Sequence, residues 1–256
     1  MLVLASDYDG TLRTSTLVNE EDKKAIHEFR KAGNMFAIVT GRSIESLRNE
    51  IEVNQFEYDF LITNNGGVIY GKNNELLQCM YIEYAQAINI IQYIKGLNCV
   101  SYVINDGFHR YKYTVDEHQI DHKYANLDDS KVKEFEVLDR GKIAQIVISL
   151  NDSILANEIA QYINSNYNGY AVAYVNVNCV DIVPFNVSKG DSLKIMEEHL
   201  DLNHDDIYAI GDSYNDLPMM QMFHGCCVSY AHDEIKVQCD AIYDRGAKCI
   251  YALMNK

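Results

Sequence analysis

A four-residue apolar run, Leu2-Val3-Leu4-Ala5, gives way to Ser6-Asp7-Tyr8-Asp9-Gly10-Thr11 within the first turn of the chain. A short apolar run that breaks at a glycine reads as a buried strand opening into a loop, which carries Asp7 and Asp9 to the strand's carboxyl end. Open parallel α/β sheets hold their ligands along that edge. Residues two apart on extended backbone point the same way, so both acids can face one site. Carboxylates that close repel one another unless a shared proton or a cation intervenes, and a divalent metal would serve. Asp-x-Asp-Gly is also ordinary turn chemistry, so the reading depends on what else converges there.

The hydropathy pattern after this loop is a βαβ rhythm. Asn19 is a good helix N-cap, with Glu20, Glu21 and Asp22 in the first turn where the helix dipole favours acids. Ala25, Ile26 and Phe29 form an apolar stripe and Gly33 stops the helix. Strands are predicted over Met35 to Val39 and Phe60 to Thr63, and a hairpin over Val68 to Ile82. From about Glu83 the pattern changes to helix, strands, helix, strands, which suggests an α+β unit with a largely antiparallel sheet. The βα rhythm returns with a helix from Gly190 and strands at Ile207 to Ile210, Gly225 to Val228 and Ala241 to Tyr243. The expected organisation is α/β: a discontinuous core formed by residues 1–82 and 185–256, with residues 83–184 inserted as a lid.

Composition narrows the functional classes. A net charge of −15 over 256 residues argues against a nucleic acid or an anionic membrane as partner, because either needs a basic face. No apolar run approaches the roughly 20 residues of a membrane helix, and Met1 to Ala5 is too short for a signal-peptide core, so a cytoplasmic protein is expected. Seven cysteines without a C-x-x-C pair fit reduced thiols rather than a disulfide framework. A small anionic substrate remains open, provided local cations or a metal receive it. The oligomeric state is left open.

Three further stretches fall where strands end or helices begin. Thr40-Gly41-Arg42 closes the second strand, Ser188-Lys189-Gly190 opens a helix, and Gly211-Asp212-Ser213-Tyr214-Asn215-Asp216 follows the strand ending at Ile210. A lysine beside the free amides of a helix start makes an anion site. Taken in order, Asp7-x-Asp9-Gly10-Thr11, Thr40, Lys189 and Gly211-Asp212-x-x-x-Asp216 resemble the four motifs of the haloacid dehalogenase-like superfamily. Thr40-Gly41-Arg42, Asn65-Gly66, Gly211-Asp212-Ser213-x-Asn215-Asp216 and the insertion between Thr40 and Lys189 resemble its Cof-type phosphatases.

The resemblance implies a Rossmann-like parallel-sheet core with an inserted α+β cap domain, and a phosphatase acting on a small phosphomonoester, with a sugar phosphate first among the substrates. It implies Asp7 as the nucleophile that forms an aspartyl-phosphate. Asp9 is implied as the general acid and then base, which requires Asp9 to hold a proton while Asp7 stays ionised. The metal is implied to be Mg²⁺, held by Asp7, Asp212 and the backbone carbonyl of Asp9 in an oxygen shell. Asn215 and Asp216 would orient that shell. Thr40, Gly41, Lys189 and the loop amides near Tyr8 and Gly10 would hold phosphoryl oxygens, and Arg42 would contact the substrate. In the insertion, Asn105, His109, Arg110 and Lys112 are leaving-group candidates, although His109 to Tyr113 equally fits a half-exposed strand. Two alternatives differ in outcome rather than in site: a phosphotransferase or mutase of the same superfamily, and a non-enzymatic phospho-accepting signalling module.

Overall fold

The computed structural model describes residues 1–255 and divides into two compact units. One contains Met1–Arg42, Ser46–Gln78 and the chain from Ser188 onward; the other contains Ser43–Glu45 and Cys79–Val187. Hydropathy alone put these divisions at 82 and 184. The strand expected to run to Ile82 stops at Cys79, which accounts for the first of these offsets.

The first unit begins with β1 (Val3–Ser6), α1 (Glu20–Lys31), β2 (Met35–Val39), α2 (Ile44–Asn54), β3 (Phe60–Thr63), β4 (Val68–Tyr70) and β5 (Leu76–Cys79). The insertion supplies α3 (Tyr84–Lys95), β6 (Ser101–Asn105), β7 (Arg110–Thr114), α4 (Glu134–Leu138), β8 (Gln145–Ser149), α5 (Ser153–Asn166), β9 (Ala171–Asn176) and β10 (Cys179–Pro184). The chain then adds α6 (Lys189–His199), β11 (Ile207–Gly211), α7 (Leu217–Met222), β12 (His224–Val228), α8 (Asp233–Lys236), β13 (Ala241–Tyr243) and α9 (Gly246–Met254).

The first unit is built on an eight-stranded sheet in the order β13-β12-β11-β1-β2-β3-β4-β5. β1 lies at its centre, parallel to both neighbours, with Ser6 opposite Ile210 on β11 and Ile38 on β2. That register releases Asp7, Thr40 and Asp212 from the sheet along one carboxyl edge. β1 is buried on both faces, as a central parallel strand must be: Val3, Leu4 and Ala5 are all fully covered. Each large apolar side chain so buried contributes roughly 1.5–3 kcal/mol relative to exposure. The cap predicted for α1 forms, with the Asn19 side chain accepting from the Glu21 amide at 2.9 Å.

β3 runs into a single helical turn in which Asn64 and Asn65 adopt left-handed backbone, φ 55 and 53. Gly66 follows at φ 111, and a Cβ there would stand 2.3 Å from the Ser188 carbonyl oxygen. Glycine is therefore needed for this turn to sit against the start of α6, where the Ser192 hydroxyl donates to the Gly66 carbonyl at 2.7 Å.

The second unit carries a five-stranded antiparallel sheet in the order β7-β6-β8-β10-β9. One core joins Ile90, Ile91 and Ile94 of α3 and Ile159 and Ile163 of α5 to Ile104, Ile146, Ile148, Val180 and Ile182 of the strands. A smaller cluster joins Val103, Val147 and Cys179 to Tyr124 and Leu127. Asp121 ties that loop down: its carboxylate accepts from the hydroxyls of Ser101 at 2.6 Å and Ser149 at 2.9 Å. The helix α4 has no counterpart in the sequence reading, because its five residues are too few to show a period. None of the seven cysteines is in a disulfide, and Cys99, Cys179, Cys226, Cys227 and Cys249 are buried. Among the described residues, no helix is long and apolar enough to cross a membrane.

Candidate active site

Asp7 leaves β1 with its amide still bonded to the Ile210 carbonyl at 2.9 Å, so the sheet ladder sets its position. Lys189 is the first residue of α6, whose N-cap Ser188 accepts from the Asp191 amide. Its fully buried Nζ stands 2.5 Å from Asp7 Oδ1 and 2.5 Å from Asp216 Oδ1. The second oxygen of Asp216 accepts from the amides of Asp212 and Ser213, each at 3.0 Å. Both Asp216 oxygens are thus engaged with protein donors. The Asp212 carboxylate accepts from the Thr11 hydroxyl at 2.9 Å. Gly10, at φ 86, makes room for it: a Cβ there would lie 2.5 Å from Asp212 Oδ2.

These contacts gather Asp7, Asp212 and Asp216 so that one oxygen from each lies within 4.8 Å of the others. The remaining oxygen of Asp7, Oδ2, is buried and has no protein hydrogen-bond partner. Burial raises the Asp7 carboxyl well above its ordinary value; Lys189 opposes this, while Asp216 and Asp212 add to it. Burial and the Asp216 charge push Asp212 up to about 6. Burial also works against the charge of Lys189, but Asp216 and Asp7 outweigh it and hold the ammonium protonated. Three carboxylates against one ammonium leave two negative charges in a confined space. An all-oxygen set with that excess, free of His and Cys, suits a hard divalent cation such as Mg²⁺.

Asp9 behaves differently from the expectation. Arg42 grips its carboxylate with two donors, Nε at 2.5 Å and Nη2 at 2.8 Å, and Arg13 adds Nη2 at 2.6 Å. Burial opposes ionisation of Asp9, yet the two guanidiniums more than offset it and hold the carboxyl below its ordinary value. The protein's own charges therefore set Asp7 high and Asp9 low, the reverse of the order an ionised nucleophile and a protonated acid require. Arg42 is accordingly occupied by Asp9, Ser46 and Glu50 rather than pointing free toward a substrate.

The other expected phosphate ligands are distributed as follows. Thr40 is buried, and its hydroxyl oxygen accepts from the Arg42 amide at 3.1 Å, which leaves its own O–H to donate elsewhere. The Gly10 amide is taken up inside the turn, donating to the Arg13 carbonyl at 3.0 Å. Tyr8 turns its ring inward and donates its hydroxyl to Glu50 at 2.9 Å. Gly41 lies against Asn65, whose side chain also accepts from Asn215 Nδ2 at 2.9 Å. Asn215 is thereby tied to the turn after β3.

In the second unit, Lys112 is buried and committed to Asp121 at 3.3 Å and to the Tyr124 carbonyl at 3.1 Å, so it serves that loop. Asn105 accepts from the Gly107 amide at 2.8 Å, His109 is exposed, and Arg110 faces Asn105 across the β6–β7 pair. The sequence reading missed Arg13, Glu50 and Asn54. A signal was present: Ser46, Glu50 and Asn54 recur every fourth residue along α2 and so form one polar stripe.

The family model described as haloacid dehalogenase-like hydrolase matches residues 4–248. A Buchnera aphidicola subsp. Baizongia pistaciae protein with a provisional phosphatase name is 30% identical over 239 residues, covering 91% of this chain and 88% of the relative. The 5-amino-6-(5-phospho-D-ribitylamino)uracil phosphatase YcsE of Bacillus subtilis is 23% identical over 246 residues, covering 94% of this chain and 89% of its own. Among solved structures, the phosphatase BT1666 of Bacteroides thetaiotaomicron superposes with a TM-score of 0.84 at 19% identity, covering 100% of this chain and 94% of that one. That likeness extends to the parallel sheet and the additional antiparallel sheet alike. A match over nearly the whole length, on a chain that brings Asp7, Lys189, Asp212 and Asp216 together, makes this protein a haloacid dehalogenase-like hydrolase, and within that family a Cof-type phosphatase.

Proposed function

We propose that this phosphatase hydrolyses a small phosphorylated metabolite, a sugar or sugar-alcohol phosphate, through an aspartyl-phosphate on Asp7, with Mg²⁺ as its cofactor. One observation carries the reading: Asp7 holds one oxygen on Lys189 while the other, buried and without a partner, is left to react. In the first displacement Asp7 Oδ2 forms a bond to phosphorus as the ester P–O bond breaks, and the leaving oxygen takes a proton. In the second, water attacks phosphorus, loses a proton to a base, and releases phosphate with Asp7 restored. Asp7, Asp212 and the Asp9 carbonyl would hold the cation, which when bound offsets the excess negative charge and draws electron density from a phosphoryl oxygen.

Lys189 and the Thr40 hydroxyl are suited to hold the equatorial oxygens, since phosphoryl transfer depends chiefly on positioning and charge neutralisation. Asp9 is the acid and base of the cycle. Arg42 and Arg13 hold its carboxylate in place for the base role, and Oδ2, which accepts from Arg42 Nε, keeps a lone pair for the proton it gives up as acid. The polyol phosphate in the name of the Bacillus subtilis relative supports the substrate class. Seven cysteines without a disulfide are in keeping with a cytoplasmic setting.

The test is phosphate release from a panel of sugar phosphates, polyol phosphates, nucleotides and pyridoxal phosphate, with Mg²⁺ and with EDTA. Turnover that requires Mg²⁺ and disappears in Asp7→Asn, while the variant keeps its circular dichroism, is the expected result. Retained turnover in Asp7→Asn overturns the covalent route. A stable phospho-protein from acetyl phosphate without turnover would instead make the chain a signalling module, and transfer from a hexose 1-phosphate to a second sugar would make it a phosphotransferase.

A further inference from the structure

We propose that Glu50 on α2 is a positioning residue for Asp9, acting through Arg42 and Tyr8; the proposal rests on the reading of Asp9 as the acid–base group. Glu50 divides its two oxygens between elements that both end at Asp9. Oε1 accepts from Arg42 Nη1 at 2.9 Å, and Oε2 accepts from the Tyr8 hydroxyl at 2.9 Å. Arg42 has its remaining edge, Nε and Nη2, on the Asp9 carboxylate. A guanidinium is a rigid planar fork, so fixing Nη1 on one side decides where the other edge points. Ser46, one turn before Glu50, accepts a second bond from the same Nη1 at 3.1 Å.

Tyr8 completes the cradle. It lies between Asp7 and Asp9 in the chain, and its fully buried ring has the guanidinium carbons of Arg42 and Arg13 at 5.4 Å and 5.7 Å from its centroid. Both are within the range of cation–π attraction. Asn54, one turn after Glu50 and fully buried, donates to the Tyr8 hydroxyl at 3.2 Å and accepts from the Val18 amide at 2.7 Å. Ser46, Glu50 and Asn54 thus present one face of α2 to the loop that carries Asp7 and Asp9. Glu50 is the residue of that face that bonds both Arg42 and Tyr8, and its Oε2 also lies 3.8 Å from Arg13 Nε.

The test is a double-mutant cycle in kcat/KM between Glu50→Gln and Asp9→Asn, on phenyl phosphates of graded leaving-group ability with Mg²⁺. Glu50→Gln is expected to lower kcat/KM on phenyl phosphate about 10-fold, a usual loss for a residue supporting a reacting group from behind. The loss should shrink toward p-nitrophenyl phosphate, whose leaving group needs no proton, and inhibition by inorganic phosphate should stay unchanged. In the Asp9→Asn background the same substitution should cost nothing further. An equal cost in both backgrounds, or a loss indifferent to the leaving group, overturns the proposal and leaves Glu50 as scaffold. If Asp9→Asn itself leaves phenyl phosphate turnover intact, the acid–base reading fails, and this proposal with it. Tyr8→Phe keeps the ring and removes only the hydroxyl on Glu50; it should repeat the pattern at about threefold, and it decides the matter if Glu50→Gln does not fold.

Discussion

Asp212→Asn should make the protein more stable while destroying its metal site. Burial and the neighbouring Asp216 raise the Asp212 carboxyl from its ordinary 3.8 to about 6, so ionising it in the folded state is costly. The folded value lies above the unfolded one, hence the folded chain holds the proton longer. Asp212 carries no penalty below about pH 4, loses stability as pH rises toward 6, and carries the full penalty above that. A shift of about two units at roughly 1.4 kcal/mol each makes that penalty about 3 kcal/mol. Asparagine keeps an oxygen for the Thr11 hydroxyl and removes the charge. Urea unfolding in EDTA should therefore find Asp212→Asn about 3 kcal/mol more stable than the parent at pH 8 and nearly equal to it at pH 4. Adding Mg²⁺ should stabilise the parent and leave the variant unmoved. A variant less stable than the parent at pH 8, or a difference that does not depend on pH, would refute the view that the three carboxylates form a strained, cation-seeking cluster.

Two further outcomes follow from the same cluster. Lys189→Met leaves Asp7 and Asp216 buried without their ammonium, which should cost about 3–5 kcal/mol in urea unfolding at pH 8; because protonation relieves the unpaired carboxylates, the loss should diminish toward pH 5. Gly10→Ala meets a left-handed backbone and a contact of 2.5 Å with Asp212 Oδ2, so it should lose at least about 1–2 kcal/mol and weaken Mg²⁺ binding measured by calorimetry.

Much of this architecture can be read from the chain before any coordinates. β2 and β3 fall where the apolar runs lie, because buried parallel strands announce themselves as short continuous hydrophobic segments between turn residues. Asp7, Lys189 and Asp212 are legible because each sits at a strand end or a helix start, a place that turn and capping residues mark. What surrounds Asp9 is not legible in that way. Arg42 reaches it from 33 positions away with Glu50 behind the guanidinium, and nothing in local pattern says that this guanidinium will choose Asp9 over a substrate. Lys112 illustrates the same limit: alternation on β7 gives its face, but only the fold brings Asp121 back to cover it. The left-handed Asn64 and Asn65 appear in the sequence as a turn, though not as the surface on which α6 begins.

The buried thiols give the two units separate clocks. Cys99 and Cys179 belong to the inserted unit, and Cys226, Cys227 and Cys249 to the other. Burial pushes the Cys99 and Cys179 thiols up to about 11, so at neutral pH almost none is thiolate while that unit is closed. A thiol reagent therefore reacts with each set only as fast as its own unit opens, and mapping the modified peptides against time would report the local opening free energies of the insertion and of the catalytic sheet from one tube.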